Sequence, residues 1–592
     1  MKRQLMFIAL LLIYGVINGQ GLVHYCDSVC TDIRFNQLGF YPDAPKIAVV
    51  TKPRFLKFNI ITSDTKKIVF SGELKASVMP GLNGKKTYIA DFSGLTDQGK
   101  YVINVNGLGR SSSFEISASV FNDLAKASIK AYYYQRASTA LPEQYSGKWH
   151  RAAGHPDNKV LVHASAATTM RPTGTVIASP GGWYDAGDYN KYIVNSGITM
   201  GTLFSLCEDF PDYIKTQKLN IPESGNQIPD ILNEVIYNLR WMLTMQDPND
   251  GGVYHKLTNA NFDAMVMPNQ GTNGRYVVQK GTAATLDFAA VTAQANRILK
   301  TYHTQLPGLA DSCIKASEKA WGWARANPYI VYDQNAMNTH FEPQITTGAY
   351  GDRNFSDEFI WAAAELYITT GNKNYYTAVN ILPDDQMPLP SWANVRLLGY
   401  YSLLNNQSHL SGKAKSDIFL LKKRLLAMAD DLISGVDNRA YQTVMGKSKR
   451  DFNWGGNSIA ANQGIALVQA YLLTKEKRYL NYALSNIDYL LGRNSTGYSY
   501  ITGTGYKTPM HPHHRPSIAD GVVNPIPGLM VGGANPGMQD GIKVPSIIPD
   551  EAYIDDERAY AVNEIAINWN APLVYLINAI KAIKDSERQK VR

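Results

Sequence analysis

The amino-acid sequence predicts a two-domain protein: an N-terminal β-sandwich of immunoglobulin-like type at residues 31–117, then an all-helical domain at 118–588. Three observations carry this. Short apolar or alternating runs, separated by turn residues, recur up to residue 117. From Val120 the apolar positions switch to helical spacing. The chain has 592 residues, 45% hydrophobic and only 18% charged, enough apolar surface for large cores and too much for a disordered chain.

The elements follow in order. Lys2 and Arg3 precede the apolar run Leu5–Ile17, and Asn18, Gly19 and Gln20 follow it. This predicts a signal peptide at residues 1–19 and a secreted or periplasmic product. The run is too short to span a bilayer comfortably, and no later stretch of about 20 apolar residues argues for a membrane span. Strands are expected at Lys46–Thr51, Phe55–Thr62, Lys67–Leu74, Lys86–Phe92, Lys100–Val105 and Ser113–Ser117, with Pro80-Gly81 and Asn83-Gly84 among the turns. Helices are expected to begin near residues 120, 195, 228, 281, 311, 356, 391, 413, 457, 477 and 564, so the simplest domain has about twelve. The stretch 494–558 reads as one long irregular segment, a length that is usually functional. Of the cysteines, Cys26 and Cys30 are close enough to pair in an oxidising compartment, which the sequence leaves open. Cys207 and Cys313 read as buried thiols.

The formal charge of +8 is small for this length and is not clustered, which argues against nucleic acid as a partner. The 36 Tyr and 9 Trp suit surfaces that hold a partly hydrated ligand. Three segments carry chemistry. In Trp183-Tyr184-Asp185-Ala186-Gly187-Asp188-Tyr189 two carboxylates lie three residues apart among glycines and aromatics. Such a pair can hold one water while one carboxylate takes its proton; a solvated Asp-Gly turn is the plainer alternative. Pro512-His513-His514-Arg515 offers donors to hydroxyls or a carboxylate, and its spacing lacks a fourth ligand for zinc. Glu564 stands where an apolar helix begins. Burial would keep it protonated, as a general acid requires, whereas a helix N-terminus would hold it ionised.

One acid, one separate base and aromatic platforms make up the apparatus for glycoside hydrolysis. The chain resembles glycoside hydrolase family 9, the cellulase family. The resemblance rests on Trp183–Tyr189, on Ser499-Tyr500-Ile501-Thr502-Gly503-Thr504-Gly505-Tyr506-Lys507 with His513-His514-Arg515, and on Tyr553-x-Asp555 with Tyr560, Glu564 and Asn570. Ile33–Phe40 resembles the start of the immunoglobulin-like module that precedes many family barrels. The resemblance implies an (α/α)6 barrel and an inverting hydrolase of β-1,4-glucosidic bonds in cellulose-like glucans, expected to be endo-acting on polysaccharide or oligosaccharide. Asp188 would be the general base, Asp185 would help hold the water, and Glu564 would be the general acid. The acid and base carboxyls should then lie about 6.5–9.5 Å apart. His513, Arg515, His255 and Tyr560 are implied substrate contacts. Trp183, Trp392, Trp454 and Tyr498 are candidates either for stacking on glucose rings or for core packing. No cofactor is needed for the chemistry. The resemblance implies a structural calcium near Asp352, Asp357 and Glu358; a solvated acidic loop is the alternative. No cysteine lies in Trp149–His155, where some relatives hold zinc. Exo-acting, xyloglucan or mixed-linkage specificity, and glycan binding without catalysis, are the competing functions.

Overall fold

A computed structural model of the protein describes residues 29–591. The expected signal peptide and Cys26 lie outside the described residues. The N-terminal region forms two facing sheets. One runs in the order Ile33–Arg34, Ile47–Val50, Tyr88–Asp91, Lys75–Ala76. The other runs Gly39–Phe40, Phe114–Ile116, Gly99–Val105, Lys57–Thr62, Ile68–Glu73. Alternation along each strand sends Phe58, Ile60, Ile103 and Phe114 from one sheet, and Ile33, Ala48, Val50 and Ala90 from the other, into a common core. Phe114 sits at its centre, edge-on to Phe35 at 5.6 Å and to Phe40 at 5.7 Å.

The C-terminal region is helical. Ile193–Asp209 packs on Thr282–Leu299 and on Ile567–Val591; Thr282–Leu299 packs on Ser356–Thr370, which packs on Arg396–Asn405; Gly456–Thr474 packs on Ile567–Val591. Most residues of Ile193–Asp209, Thr282–Leu299 and Gly456–Thr474 are buried, as expected of helices enclosed on all sides. Close approach needs small residues. A Cβ on Gly201 would lie 2.5 Å from the Trp361 ring, and one on Gly464 2.5 Å from Leu576. Outside them lie helices with one buried face: Asn122–Tyr134, Asp230–Thr244, Leu309–Ala326, Gly412–Ile433 and Lys477–Leu490, with the short Lys373–Thr377.

The helical region is not all helix. A five-stranded sheet, ordered Val176–Ile177, Val160–Val162, Arg275–Val277, Lys256–Asn259, Lys191–Tyr192, lies within it. Its strands of two to four residues are too short to show a period of two, so their pairing is set by tertiary contacts. Two helices expected near 391 and 564 begin at Arg396 and Ile567. Cys207 and Cys313 are buried, and burial pushes the Cys313 thiol up to about 12. Among the described residues no helix is long and apolar enough to cross a membrane.

The two regions are joined by specific bonds. Asn36 Nδ2 donates to Asp488 Oδ1 at 2.8 Å, and Gln37 Oε1 accepts from the backbone of Tyr506 and Lys507 at 2.9 and 3.0 Å. The sandwich thereby holds the 488–507 segment that leads into the long irregular stretch.

Candidate active site

The Asp185–Asp188 loop leads into the short Lys191–Tyr192 strand and the Ile193–Asp209 helix. Asp185 is fully buried. Asn195 Nδ2, one turn into that helix, donates to both carboxylate oxygens at 2.9 and 3.0 Å, and the Tyr350 hydroxyl donates to Oδ2 at 3.1 Å. Asp188 Oδ2 accepts from Asn190 Nδ2 at 2.6 Å and from the Tyr192 hydroxyl at 3.1 Å. The pair is therefore a fixed, hydrogen-bonded structure and not a solvated turn.

Gly187 is required by close approach. A Cβ there would stand 2.2 Å from the His513 carbonyl oxygen. That contact lets the Gly187 N–H reach Glu564 Oε1 at 3.3 Å, while its carbonyl accepts from Arg515 Nη1 at 2.8 Å. His513 and Glu564 pair side by side, with the His513 N–H on the Asn563 carbonyl at 2.9 Å. Asp555 clamps this arrangement by accepting from the backbone of Met510 and His511 and from Asn563 Nδ2. Segments about 380 residues apart in sequence thus bring Asp185, Asp188, His513, Arg515 and Glu564 together.

Glu564 ends the Tyr560–Asn563 helix in extended conformation and does not cap the helix that follows. Part of its surface stays open, but its carboxyl is raised well above the usual range, first by burial and then by Asp188 and Asp185. Asp185 is also raised well above its usual value, by burial and by Asp188. Of the two expectations for Glu564, the structure favours the protonated one.

The remaining residues fall into two groups. The His513 ring lies 5.7 Å from Tyr560, which lies 5.4 Å from Trp454; Trp454 is 43% exposed, so these rings offer an open aromatic wall. Trp392 is partly open and edge-on to Tyr350 at 5.4 Å. Trp183, by contrast, is 0% exposed and packs on Tyr132 at 4.5 Å, so its ring serves the core. His255 is enclosed, stacked 4.0 Å from Tyr332 with Nε2 on the Ala349 carbonyl, and burial lowers it to about 3. It is a neutral prop under the 347–352 loop rather than an open substrate contact. Tyr498 packs against Tyr553 at 4.9 Å beneath the Lys507 ammonium. His514 is buried and bonded to Gln135 and Ser517, which removes it from any metal role. Sequence reasoning did not assign roles to Asn190, Tyr192, Asn195 or Tyr350. The first three follow closely on the quoted motif, but Tyr350 is distant in sequence and carries no local signal.

The acidic loop has a further member, Asp287. Both Asp287 carboxylate oxygens, Asp352 Oδ2, Asp357 Oδ1 and Glu358 Oε2 are buried without hydrogen-bond partners. Burial and their mutual charge raise Asp287 and Glu358 well above the usual range. Unpaired oxygens of this kind fit a hard cation, although among the described residues no three Asp, Glu, His or Cys side chains converge as a complete metal shell.

The family model of glycosyl hydrolase family 9 matches residues 121–577, and that of the cellulase N-terminal ig-like domain matches residues 28–110. The chain belongs to glycosyl hydrolase family 9. It is a glycoside hydrolase, similar to endoglucanases over almost its whole length. A xyloglucan-specific endo-β-1,4-glucanase of Bacteroides ovatus is 47% identical, over 93% of this chain and 94% of that protein. Endoglucanase D of Acetivibrio thermocellus is 34% identical, over 92% of this chain and 82% of that one. Among solved structures, a family 9 protein of Bacteroides ovatus superposes with a TM-score of 0.90 at 45% identity, covering 94% of this chain and 99% of that chain. As a family 9 hydrolase it joins an immunoglobulin-like domain to a helical domain that carries the carboxylates.

Proposed function

We propose that this hydrolase is an exported, endo-acting β-1,4-glucanase that inverts the anomeric centre, with xyloglucan as its preferred glucan. Its six enclosed helices and six outer ones are read as an (α/α)6 barrel. The reading rests on one observation above others: the Gly187 N–H holds Glu564 beside the Asp185–Asp188 pair, where burial and then the charge of these carboxylates raise it. Glu564, kept protonated, donates its proton to the leaving glycosidic oxygen. Asp188, held by two neutral donors and not by a cation, takes the proton of the attacking water, and Asp185 orients that water. Arg515 and His513 bind the sugar next to the cleaved bond; Tyr560, Trp454 and Trp392 bind rings along the trench.

The xyloglucan preference is supported by the relative at 47% identity, whose name carries that specificity. Export rests on the charged and apolar pattern of residues 1–19. Calcium at Asp287, Asp352, Asp357 and Glu358 is supported by their unpaired oxygens. It would neutralise buried charge and order the loop that carries Tyr350.

The test follows the anomer first released from xyloglucan by proton NMR, together with viscosity against reducing ends. An α-anomer with a steep early fall in viscosity is expected. Retained configuration would end the mechanism, and reducing ends without viscosity loss would end the endo assignment.

A further inference from the structure

Two large apolar side chains beside the catalytic loop have no partner to cover them. Phe262 is 46% exposed and Met265 is 42% exposed. They are not the tips of a loose loop, because the segment between and around them is stapled to the catalytic floor. Arg515 Nε donates to the Asp263 carbonyl at 3.0 Å while Nη1 of the same guanidinium holds the Gly187 carbonyl. The Tyr189 hydroxyl donates to the Val266 carbonyl at 2.6 Å. The Asp263 carboxylate accepts from Asn259 and Asn273, each at 2.8 Å, and pairs with His155. Pro268 lies so close to Gly154 that a Cβ there would come within 2.5 Å of it. The Arg515 guanidinium lies 5.7 Å from the Phe262 ring centre. An apolar ring carried on a segment held by these bonds and yet left open to water has a hydration cost that a bound apolar surface would relieve.

Building on the xyloglucan reading above, we infer that Phe262 and Met265 form a subsite for a xylosyl branch of the glucan, taken as a neutral pyranose. The carbon-bound faces of a pyranose ring suit an aromatic ring and a pliable thioether. The Arg515 guanidinium links this ledge to the Gly187 carbonyl beside Asp188, so a branch seated there belongs to a backbone sugar in the trench.

The test compares Phe262→Ala, Met265→Ala and Phe262→Trp with the wild type on xyloglucan oligosaccharides and on unbranched cello-oligosaccharides of equal backbone length. For Phe262→Ala, kcat/KM on the branched substrate is expected to fall about tenfold, mostly through KM, against about twofold on the unbranched one. Met265→Ala should give a smaller loss of the same kind, and Phe262→Trp should restore most of the branched activity. Equal losses on both substrates, or none on the branched one, would overturn the subsite. Failure of the xyloglucan reading shows separately, as a wild type with no preference for branched over unbranched substrate, and it would remove the subsite with it. A fall in melting temperature in Phe262→Ala that Phe262→Trp does not reverse, together with equal losses on the two substrates, also counts against it.

Discussion

Glu564→Gln should inactivate the enzyme while making it no less stable at neutral pH. Gln has the shape of the protonated acid and keeps an oxygen to accept the Gly187 N–H at 3.3 Å. It has no proton to give. A positioned general acid contributes about 10²–10⁴-fold, which is roughly 3–5 kcal/mol of barrier. The stability effect has a definite sign. The Glu564 carboxyl is raised in the folded protein by burial, Asp188 and Asp185, so the unfolded chain ionises first. The stability linked to this group is complete below the ordinary carboxyl range and is lost as pH rises towards the folded value, at about 1.4 kcal/mol per unit of difference. Gln removes that loss. The assays are turnover on glucan, turnover on a glycosyl fluoride whose leaving group needs little proton assistance, and melting temperature across pH. Expected are a large loss on glucan, a much smaller loss on the fluoride, unchanged oligosaccharide binding, and a melting curve that falls less with pH than in the wild type. Wild-type turnover on glucan, or equal losses on glucan and fluoride, would refute the acid role.

Asp188→Asn should cut turnover on glucan and on the fluoride alike, by at least about 10²-fold, because a base is needed whatever the leaving group; steady-state kinetics on both substrates checks this. Tyr350→Phe deletes the hydroxyl that reaches Asp185 Oδ2 at 3.1 Å; a hydrogen bond to a carboxylate is worth about 1.5–3 kcal/mol, so kcat should drop about tenfold or more with KM nearly constant. Trp183→Ala empties a fully enclosed site and should cost about 3–5 kcal/mol in denaturant unfolding, whereas Trp454→Ala should leave stability within about 0.5 kcal/mol and raise KM. Calcium at a hundredfold excess over its dissociation constant should stabilise the protein by about 2.7 kcal/mol and a chelator should reverse this, while Asp287→Asn with Glu358→Gln should abolish the response; the melting temperature reads all three.

What could be read from the sequence was what repeats or clusters locally. Phe58, Ile60, Ile103 and Phe114 alternate along their strands, and the strands from Ile47 to Ile116 that match expected runs do so within about two residues, whereas the two-residue strands Ile33–Arg34 and Gly39–Phe40 were not expected. Asp185, Asp188 and Glu564 could be picked out because each sits in a dense local pattern of aromatics, glycines and helix-forming residues. The partners that fix them could not. Tyr350 meets Asp185 across 165 residues of chain and Asp287 joins the acidic loop from inside an apolar helix, so neither has a neighbour that marks it. The two readings left open for Trp183 show the same limit: a tryptophan beside a catalytic motif looks alike whether it faces the trench or, as here, Tyr132 and the core. The five-stranded sheet has too few residues per strand for any period to appear.

The distribution of cations explains how a site built from carboxylates can hold a proton. At several positions away from the reacting pair this protein matches buried acids with cations: Arg136 with Glu234 at 2.7 Å, Lys191 with Asp157 at 2.7 Å, and Lys280 with Asp247 at 2.7 Å. Around the reacting pair it does not. Asp188 receives Asn190 and Tyr192, and Asp185 receives Asn195 and Tyr350, all neutral donors. The nearest cations are turned away. Arg515 directs Nη1 and Nε to the Gly187 and Asp263 carbonyls, and Lys256 points its ammonium at Gln334, Thr347 and the Gly348 carbonyl, with burial lowering it well below its usual value. An ammonium or guanidinium bonded to Glu564 would keep it ionised and deprive it of the proton the leaving oxygen needs. Neutral donors orient the carboxylates without an ion pair, so burial first, and then the charge interaction with Asp188 and Asp185, raises Glu564.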